Sequence, residues 1–172
     1  MRTVIDRQQV ATGLPELVAG LRQVVARGDT PERTVRDVTD VLRRRLPTPD
    51  VLTAAQRLGS PDGYRSHLLH IEPDGSFSIV ALVWRPGQAT AIHDHVAWCS
   101  FGVIQGIEYE ELYDENLRLV GENTNHVGEV SGFTPPGDIH RVRNVGDTTA
   151  ISIHVYGADI SILGSSVRRN YS

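Results

Sequence analysis

The hydrophobic pattern of the chain changes its period near Gly63. Before that point, apolar residues such as Leu17, Leu21 and Val24 recur at the spacing of amphipathic helices. After it, short segments rich in β-branched and aromatic residues follow one another between Gly, Pro, Asn and Asp. Many short strands without helices between them favour a closed β architecture over a parallel α/β sheet. We therefore predict a mainly β protein, a barrel or jelly roll, with an N-terminal helical segment.

Breaking residues and length set the expected boundaries. The helical segment is predicted over residues 1–60, with its third, short helix at about residues 50–58, and the barrel over 64–172. With 172 residues, the chain can bury one substantial core, so we predict a single domain over 1–172. The clearest predicted strands are residues 77–84, 98–104, 107–113, 139–142 and 150–156.

Composition argues against several classes of function. The net charge is −4, which gives no basic field to attract nucleic acid or an anionic membrane. No apolar run approaches the length that crosses a bilayer, and the first ten residues lack the pattern of a signal peptide, so we expect a cytoplasmic protein. Cys99 is the single cysteine, which excludes an intrachain disulfide and a thiolate-rich zinc site. A bound metal would therefore need nitrogen and oxygen ligands.

Three of the seven histidines lie in two spaced motifs. His93 and His95 are separated by one residue, so in a strand both imidazoles project to the same face and can point at one place inside a barrel. The second motif, residues 135–144, delivers His140 after a turn of Pro and Gly. Three neutral imidazoles bind a divalent first-row metal and leave coordination positions open. We predict a metal site on His93, His95 and His140.

The two spacings resemble the two signature motifs of the cupin superfamily. The first runs from Gly87 through the histidine pair to Gly106, with Cys99 where that motif usually has glutamate. Residues 135–144 read as the second motif, P-x-G-x-x-H-x-x-x-N, whose leading glycine, Gly128, is displaced by one residue. The resemblance implies the cupin double-stranded β-helix, a jelly-roll barrel that holds its metal in the interior.

Within that superfamily, residues 64–156 are similar to the cysteine dioxygenase family of thiol dioxygenases. Members hold a mononuclear non-heme iron with three histidines and without the carboxylate that most cupins add. Ser152, His154 and Tyr156 resemble the family's Ser-x-His-x-Tyr triad, in which alternate residues of one strand face the metal. The resemblance implies that the Tyr156 hydroxyl donates to substrate or oxygen and that His154 fixes its orientation.

Two further positions bear on this resemblance. Cys99 resembles the cysteine that part of the family joins to the triad tyrosine by a thioether, here Tyr156; the alternative is a buried, unreactive cysteine. The family's carboxylate-binding position, commonly arginine, or glutamine in a mercaptopropionate-preferring group, aligns with Ser66, and serine cannot form arginine's bidentate salt bridge. Arg65 is expected on the opposite strand face. Ser66, Arg65 and Trp98 are the candidate substrate-binding residues.

The resemblance implies an Fe(2+)-dependent enzyme of cysteine metabolism that converts a small thiol, first of all L-cysteine, to its sulfinate with O2. 3-Mercaptopropionate or another biosynthetic thiol is the alternative substrate. Nickel, manganese or zinc also suits three imidazoles, so a cupin oxidase or isomerase with another metal is a second hypothesis. A non-enzymatic cupin that binds a small molecule is the third. The expected partners are a thiol and O2, without nucleic acid or membrane, and the sequence leaves the oligomeric state open.

Overall fold

The computed structural model describes residues 12–171, so the prediction made for the first ten residues lies outside it. The described helices are α1 (Leu14–Val25), α2 (Pro31–Arg44), α3 (Ala54–Arg57) and α4 (Ile160–Leu163), with a 3₁₀ turn at Pro49–Val51. The described strands are β1 (Arg65–Ile71), β2 (Ser78–Trp84), β3 (Ile92–His95), β4 (Cys99–Gln105), β5 (Glu108–Tyr113), β6 (Leu119–Asn125), β7 (Val130–Phe133), β8 (His140–Asn144), β9 (Ala150–Tyr156) and β10 (Val167–Tyr171).

The strands form two antiparallel five-stranded sheets. The first sheet has the order β1-β2-β9-β4-β7, and the second has the order β10-β3-β8-β5-β6. Apart from β1–β2 and β5–β6, neighbouring strands in each sheet are not consecutive in the chain, as in a jelly roll. This is the double-stranded β-helix that the sequence predicts, with helices as a minority.

The first sheet is covered on both of its faces. On the outside, α1 and α2 pack on it and form one core that includes Leu21, Ile79 and Ile153. On the inside, Val80 and Ala150 belong to a second core between the two sheets. Because β2 is buried on both faces, its sequence is almost continuously apolar, whereas β9 has apolar residues on its outer face and Ser152, His154 and Tyr156 on its inner face.

Local sequence signals set the helix ends and one tight turn. Thr53 lies in an extended conformation and forms a capping box with Gln56, so α3 begins as a separate helix after the 3₁₀ turn. The short third helix predicted at residues 50–58 is therefore wrong in its extent: a 3₁₀ turn and α3 replace it. Between β4 and β5, Gly106 has φ 75°, and a Cβ there would lie 2.8 Å from the Cα of Ala150. Of the helices in residues 12–171, none has the length and apolar character that a bilayer crossing requires.

The last described strand lies beside the strand that carries two of the candidate ligands. β10 pairs antiparallel with β3, and Asp94 accepts hydrogen bonds from Arg168, Arg169 and Tyr171 of β10. Its side chain is 2% exposed, whereas the two arginine side chains are 47% and 60% exposed. The hydrogen bond from Arg168 is the main cause that holds the pKa of Asp94 far below its usual range. The hydrogen bonds to the buried Asp94 carboxylate thus link β10 to β3.

We expect Asp94→Asn to lower the free energy of unfolding by about 1–3 kcal/mol at pH 7, because charge-assisted hydrogen bonds are lost while water can still solvate the arginines. Urea denaturation measures the difference. Asp62→Asn is the control, since the Asp62 side chain is 82% exposed and its pair with Arg65 is solvated. Equal denaturation midpoints for the Asp94 variant and wild type would contradict the expectation.

Candidate metal centre

Three histidines from two strands meet inside the barrel. His93 on β3 lies directly opposite His140 on β8, and His95 lies two residues further along β3 on the same face. One ring nitrogen from each lies within 4.8 Å of the other two, and all three side chains are buried. Three imidazole nitrogens brought this close together could hold one metal ion. The motif spacing therefore does bring these residues together.

The Nδ1 atom of each of these rings has a hydrogen-bond acceptor. The contacts are His93 Nδ1 to the carbonyl of Ala91 (2.9 Å), His95 Nδ1 to Asp138 Oδ2 (2.9 Å) and His140 Nδ1 to Glu110 Oε1 (2.7 Å). Carbonyl and carboxylate oxygens only accept, so we assign the ring proton to Nδ1 in each case. Each Nε2 is then left with a free lone pair. This is the arrangement that metal-ligating histidines require of their outer partners, and the residues fit a bound metal.

Burial keeps the His93 and His95 imidazoles neutral. It lowers the pKa of His93 to about 3, with the neighbouring His140 as a further cause, and it also lowers the pKa of His95. Only a neutral imidazole can act as a ligand. His93 and His95 can thus bind a cation at neutral pH without first losing protons.

The three histidines line a cavity of about 260 Å³. Its walls include apolar residues such as Leu82 and Val142, and its polar groups include the hydroxyls of Tyr64, Ser66 and Ser166. Among the residues that line it within 12–171, there is no lysine, arginine, aspartate or glutamate. A small polar molecule that enters this cavity therefore contacts imidazoles and hydroxyls of the described residues.

The polar residues of β9 form a hydrogen-bonded row beside the histidines. Ser152 Oγ lies 2.9 Å from Nε2 of His154, and Nδ1 of His154 lies 3.2 Å from the hydroxyl of Tyr156. The indole N–H of Trp84 donates to Ser152 Oγ at 3.4 Å, and Phe101 stacks on the His154 ring. Burial holds the pKa of His154 well below its usual range and that of Tyr156 well above. His154 is therefore neutral, and Tyr156 stays protonated.

Cys99 lies directly opposite Tyr156 in the pairing of β4 with β9. Both side chains belong to the inner core, and Cys99 is 1% exposed. Opposite residues of an antiparallel pair have Cβ atoms about 4.5–5.5 Å apart. Burial raises the pKa of the thiol well above its usual range. The register thus places the sulfur beside the Tyr156 ring.

Of the three candidate substrate-binding residues, one lines the cavity and two lie outside it. Ser66 lines the cavity at its mouth. Arg65 donates to Ser60 Oγ at 2.9 Å outside the cavity, as strand alternation predicts. Trp98 also lies outside: it packs on Gly157, where there is no room for a Cβ, and on the core beneath the helices. Neighbouring residues of an extended chain point to opposite faces, so Trp98 faces outward because Cys99 faces inward.

Three further residues shape the site and are not among the candidates predicted from the sequence. Asp138 and Glu110 hold the rings of His95 and His140, and Tyr64 stacks on Trp84 at 4.4 Å between ring centroids where it lines the cavity. Asp138 stands two residues before His140 in its motif, which is a usable signal. Glu110 carries a weaker one, an acidic residue at an inward position of a strand.

Comparison with known proteins gives one family and one fold. The family model described as cysteine dioxygenase type I matches residues 9–163. Cysteine dioxygenase type 1 from Danio rerio is 29% identical over 94 residues, 49% of this chain and 47% of that protein. The Rattus norvegicus protein of the same name is 30% identical over 91 residues, 48% and 46% of the two chains. The chain thus spans about half the length of the curated relatives it matches.

A solved structure supports the fold alone. The crystal structure of a conserved protein with a double-stranded β-helix domain from Klebsiella pneumoniae has a TM-score of 0.50 and 17% sequence identity. The similarity covers 63% of this chain and 89% of that chain. It agrees with the two facing sheets described above.

Proposed function

Because the chain belongs to the cysteine dioxygenase type I family, we propose that it is a thiol dioxygenase with a metal held by His93, His95 and His140. The proposed reaction adds both atoms of O2 to the sulfur of a small thiol and gives a sulfinate, so it needs no further reductant. The observation that carries the proposal is the cluster of three buried histidines that line the same cavity as Tyr156. Ferrous iron is the proposed metal, and when bound it would supply the redox chemistry with thiol and oxygen.

The protein's own residues are proposed to bind, orient and exclude water. Asp138 and Glu110 fix the ring planes of His95 and His140, so that the ligand geometry is set before substrate enters. The Tyr156 hydroxyl stays protonated at neutral pH and is proposed to donate a hydrogen bond to the reacting molecule. The neutral His154 ring holds that hydroxyl in place.

We propose L-cysteine as the first candidate substrate, with its carboxylate near the cavity mouth. Without an arginine at position 66, hydroxyl groups such as those of Ser66 and Tyr64 are the proposed partners of that carboxylate. 3-Mercaptopropionate carries the same carboxylate without the ammonium group, and cysteamine carries the ammonium group without the carboxylate. Comparing these three thiols therefore shows whether the protein recognises the carboxylate or the ammonium group of the substrate.

The test is oxygen consumption by the iron-loaded protein with these three thiols, after metal content has been fixed anaerobically. We expect one O2 consumed per thiol and a sulfinate product, and no consumption by the zinc-loaded protein, because zinc has no redox chemistry. If the iron-loaded protein consumes no oxygen with any small thiol, the proposal fails. Oxygen consumption that follows nickel or manganese content instead would favour a cupin oxidase that uses that metal.

We expect a thioether between Cys99 and Tyr156 to form in part of the iron-loaded protein during turnover. Joining Sγ to a carbon of the phenol ring removes one hydrogen from each residue, and O2 is the oxidant that accepts them. Intact-mass measurement should then show a species lighter by two hydrogen atoms, absent from Cys99→Ser and from Tyr156→Phe. A single unshifted mass for turned-over wild-type protein would contradict the cross-link and leave Cys99 as a packing residue.

A further inference from the structure

A buried carboxyl group lies inside the barrel away from the candidate ligands. Glu108, the first residue of β5, is 0% exposed, and its cross-strand partners Asn125 and Asn144 are neutral. Both carboxyl oxygens are buried without a hydrogen-bond partner among residues 12–171. Burying a polar group without a partner costs free energy, so such a group at a strand position that apolar residues fill well needs a reason.

The groups that face Glu108 connect it to the row of polar residues on β9. The Ser152 hydroxyl and the Trp84 indole N–H approach it from the first sheet, outside ordinary hydrogen-bond geometry but near enough to lower its pKa, and Glu110 lies two residues further along β5 on the same face. Burial raises the pKa of Glu108 to about 7, and the Ser152 hydroxyl opposes this rise while the charge of Glu110 adds to it. Near neutral pH, both the protonated and the ionised form of Glu108 are therefore populated.

Ser152 is also the first member of a chain that leads back to the cavity. Its hydroxyl lies 2.9 Å from Nε2 of His154, and the other ring nitrogen lies 3.2 Å from the Tyr156 hydroxyl. Because His154 is neutral, one of its nitrogens donates and the other accepts. If one ring nitrogen accepts a hydrogen bond, the other must carry the proton and donate. The direction of the hydrogen bond on one side of the His154 ring therefore fixes the direction on the other side.

We propose that Glu108 is a positioning residue whose protonation sets the direction of donation along Ser152, His154 and Tyr156, an effect on catalysis that rests on the proposed function. When Glu108 is protonated, it donates to Ser152, Ser152 donates to Nε2 of His154, and Nδ1–H donates to the Tyr156 oxygen. The Tyr156 O–H is then free to point into the cavity. When Glu108 is ionised, every donation reverses, and Tyr156 donates to His154 instead.

The two states differ by one proton. In passing from the first to the second, each proton moves one place: from Glu108 to Ser152, from Ser152 to Nε2 of His154, from Nδ1 to the Tyr156 oxygen, and from Tyr156 to water in the cavity. One O–H bond breaks at Glu108 and one forms on water, with no change of oxidation state. The protonated state of Glu108 is thus the one that offers a donor to a molecule in the cavity.

The test reads the tautomer of His154 directly, without turnover. In the full-length protein loaded with zinc as a diamagnetic metal, ¹⁵N NMR of the histidine rings is followed from roughly pH 5 to 9. We expect the His154 proton to move from Nδ1 to Nε2 with a midpoint near 7, the pKa of Glu108. Glu108→Gln and Glu108→Leu should abolish the step, and His154→Gln assigns the signal. Glu122→Gln, an exposed carboxylate on β6, is the matched control that should keep it.

A second measurement reports the catalytic consequence. Between pH 6 and 8, the protonated fraction of a group with a pKa near 7 falls about tenfold, so kcat of the iron-loaded wild type should fall by about that factor while Glu108→Gln loses this fall. An unchanging His154 tautomer in wild type, or the same step in Glu108→Gln, overturns the inference. A tautomer step without turnover of any thiol would refute the proposed function and leave the inference intact.

Discussion

Replacing His140 with alanine is expected to strip the metal from the protein and to reduce oxygen consumption with any thiol to background. His140 is the one proposed ligand outside β3, so its loss leaves two imidazoles from a single strand. The change also leaves the buried Glu110 carboxylate without the Nδ1–H that it accepts from. Removal of an outer-sphere partner alone typically weakens metal binding by about 10–100-fold, and removal of a ligand should exceed that.

Metal content after dialysis, measured beside the unfolding midpoint, checks this expectation. Glu110→Gln should weaken metal binding within the outer-sphere range, because an amide replaces the carboxylate that orients His140. His126→Ala is the matched control, since His126 is exposed and belongs to neither motif. A folded His140→Ala protein that keeps a full equivalent of metal would show that the three-histidine assignment is wrong.

Much of the barrel follows from local pattern. The predicted segments at residues 77–84 and 150–156 match β2 and β9, because runs of buried, largely β-branched residues stand out in a sequence. The histidine pair on β3 could be predicted equally well, because His93 and His95 are separated by one position and share a strand face in any fold.

The two edge strands of the second sheet could not be predicted in this way. β6 lies at the edge of the second sheet with most of its side chains exposed, so no apolar alternation marks it. β10 is rich in charge, and its place beside β3 depends on Asp94, which precedes it by more than seventy residues. A single sequence carries no local signal for such a pairing.

The same distinction applies to the site. Ser152, His154 and Tyr156 could be placed on one face by counting along one strand. Glu108 and Glu110 could not be assigned a role, because an acidic residue in a strand is ordinarily read as exposed, and only the packing of the second sheet against the first buries them.

We expect His154→Ala to keep the metal and to lose turnover by about a hundredfold or more. His154 makes no contact with a metal in the proposed arrangement, and its neutral ring holds the Tyr156 hydroxyl at 3.2 Å. Without the ring, that hydroxyl loses its fixed direction, and a preorganised donor of this kind typically contributes about 10²–10³ in rate. The loss should appear mainly in kcat, because thiol binding depends on the metal and the cavity walls.

Metal content, kcat and KM of three variants separate this role from a structural one. If His154 acts through Tyr156, then Tyr156→Phe and the double variant with His154→Ala should be impaired to about the same extent as the single variants, since residues that act as a unit are not additive. Multiplying losses would mean that the two side chains act independently. Loss of the metal from a folded His154→Ala protein would contradict the outer-sphere assignment and make His154 part of the metal site itself.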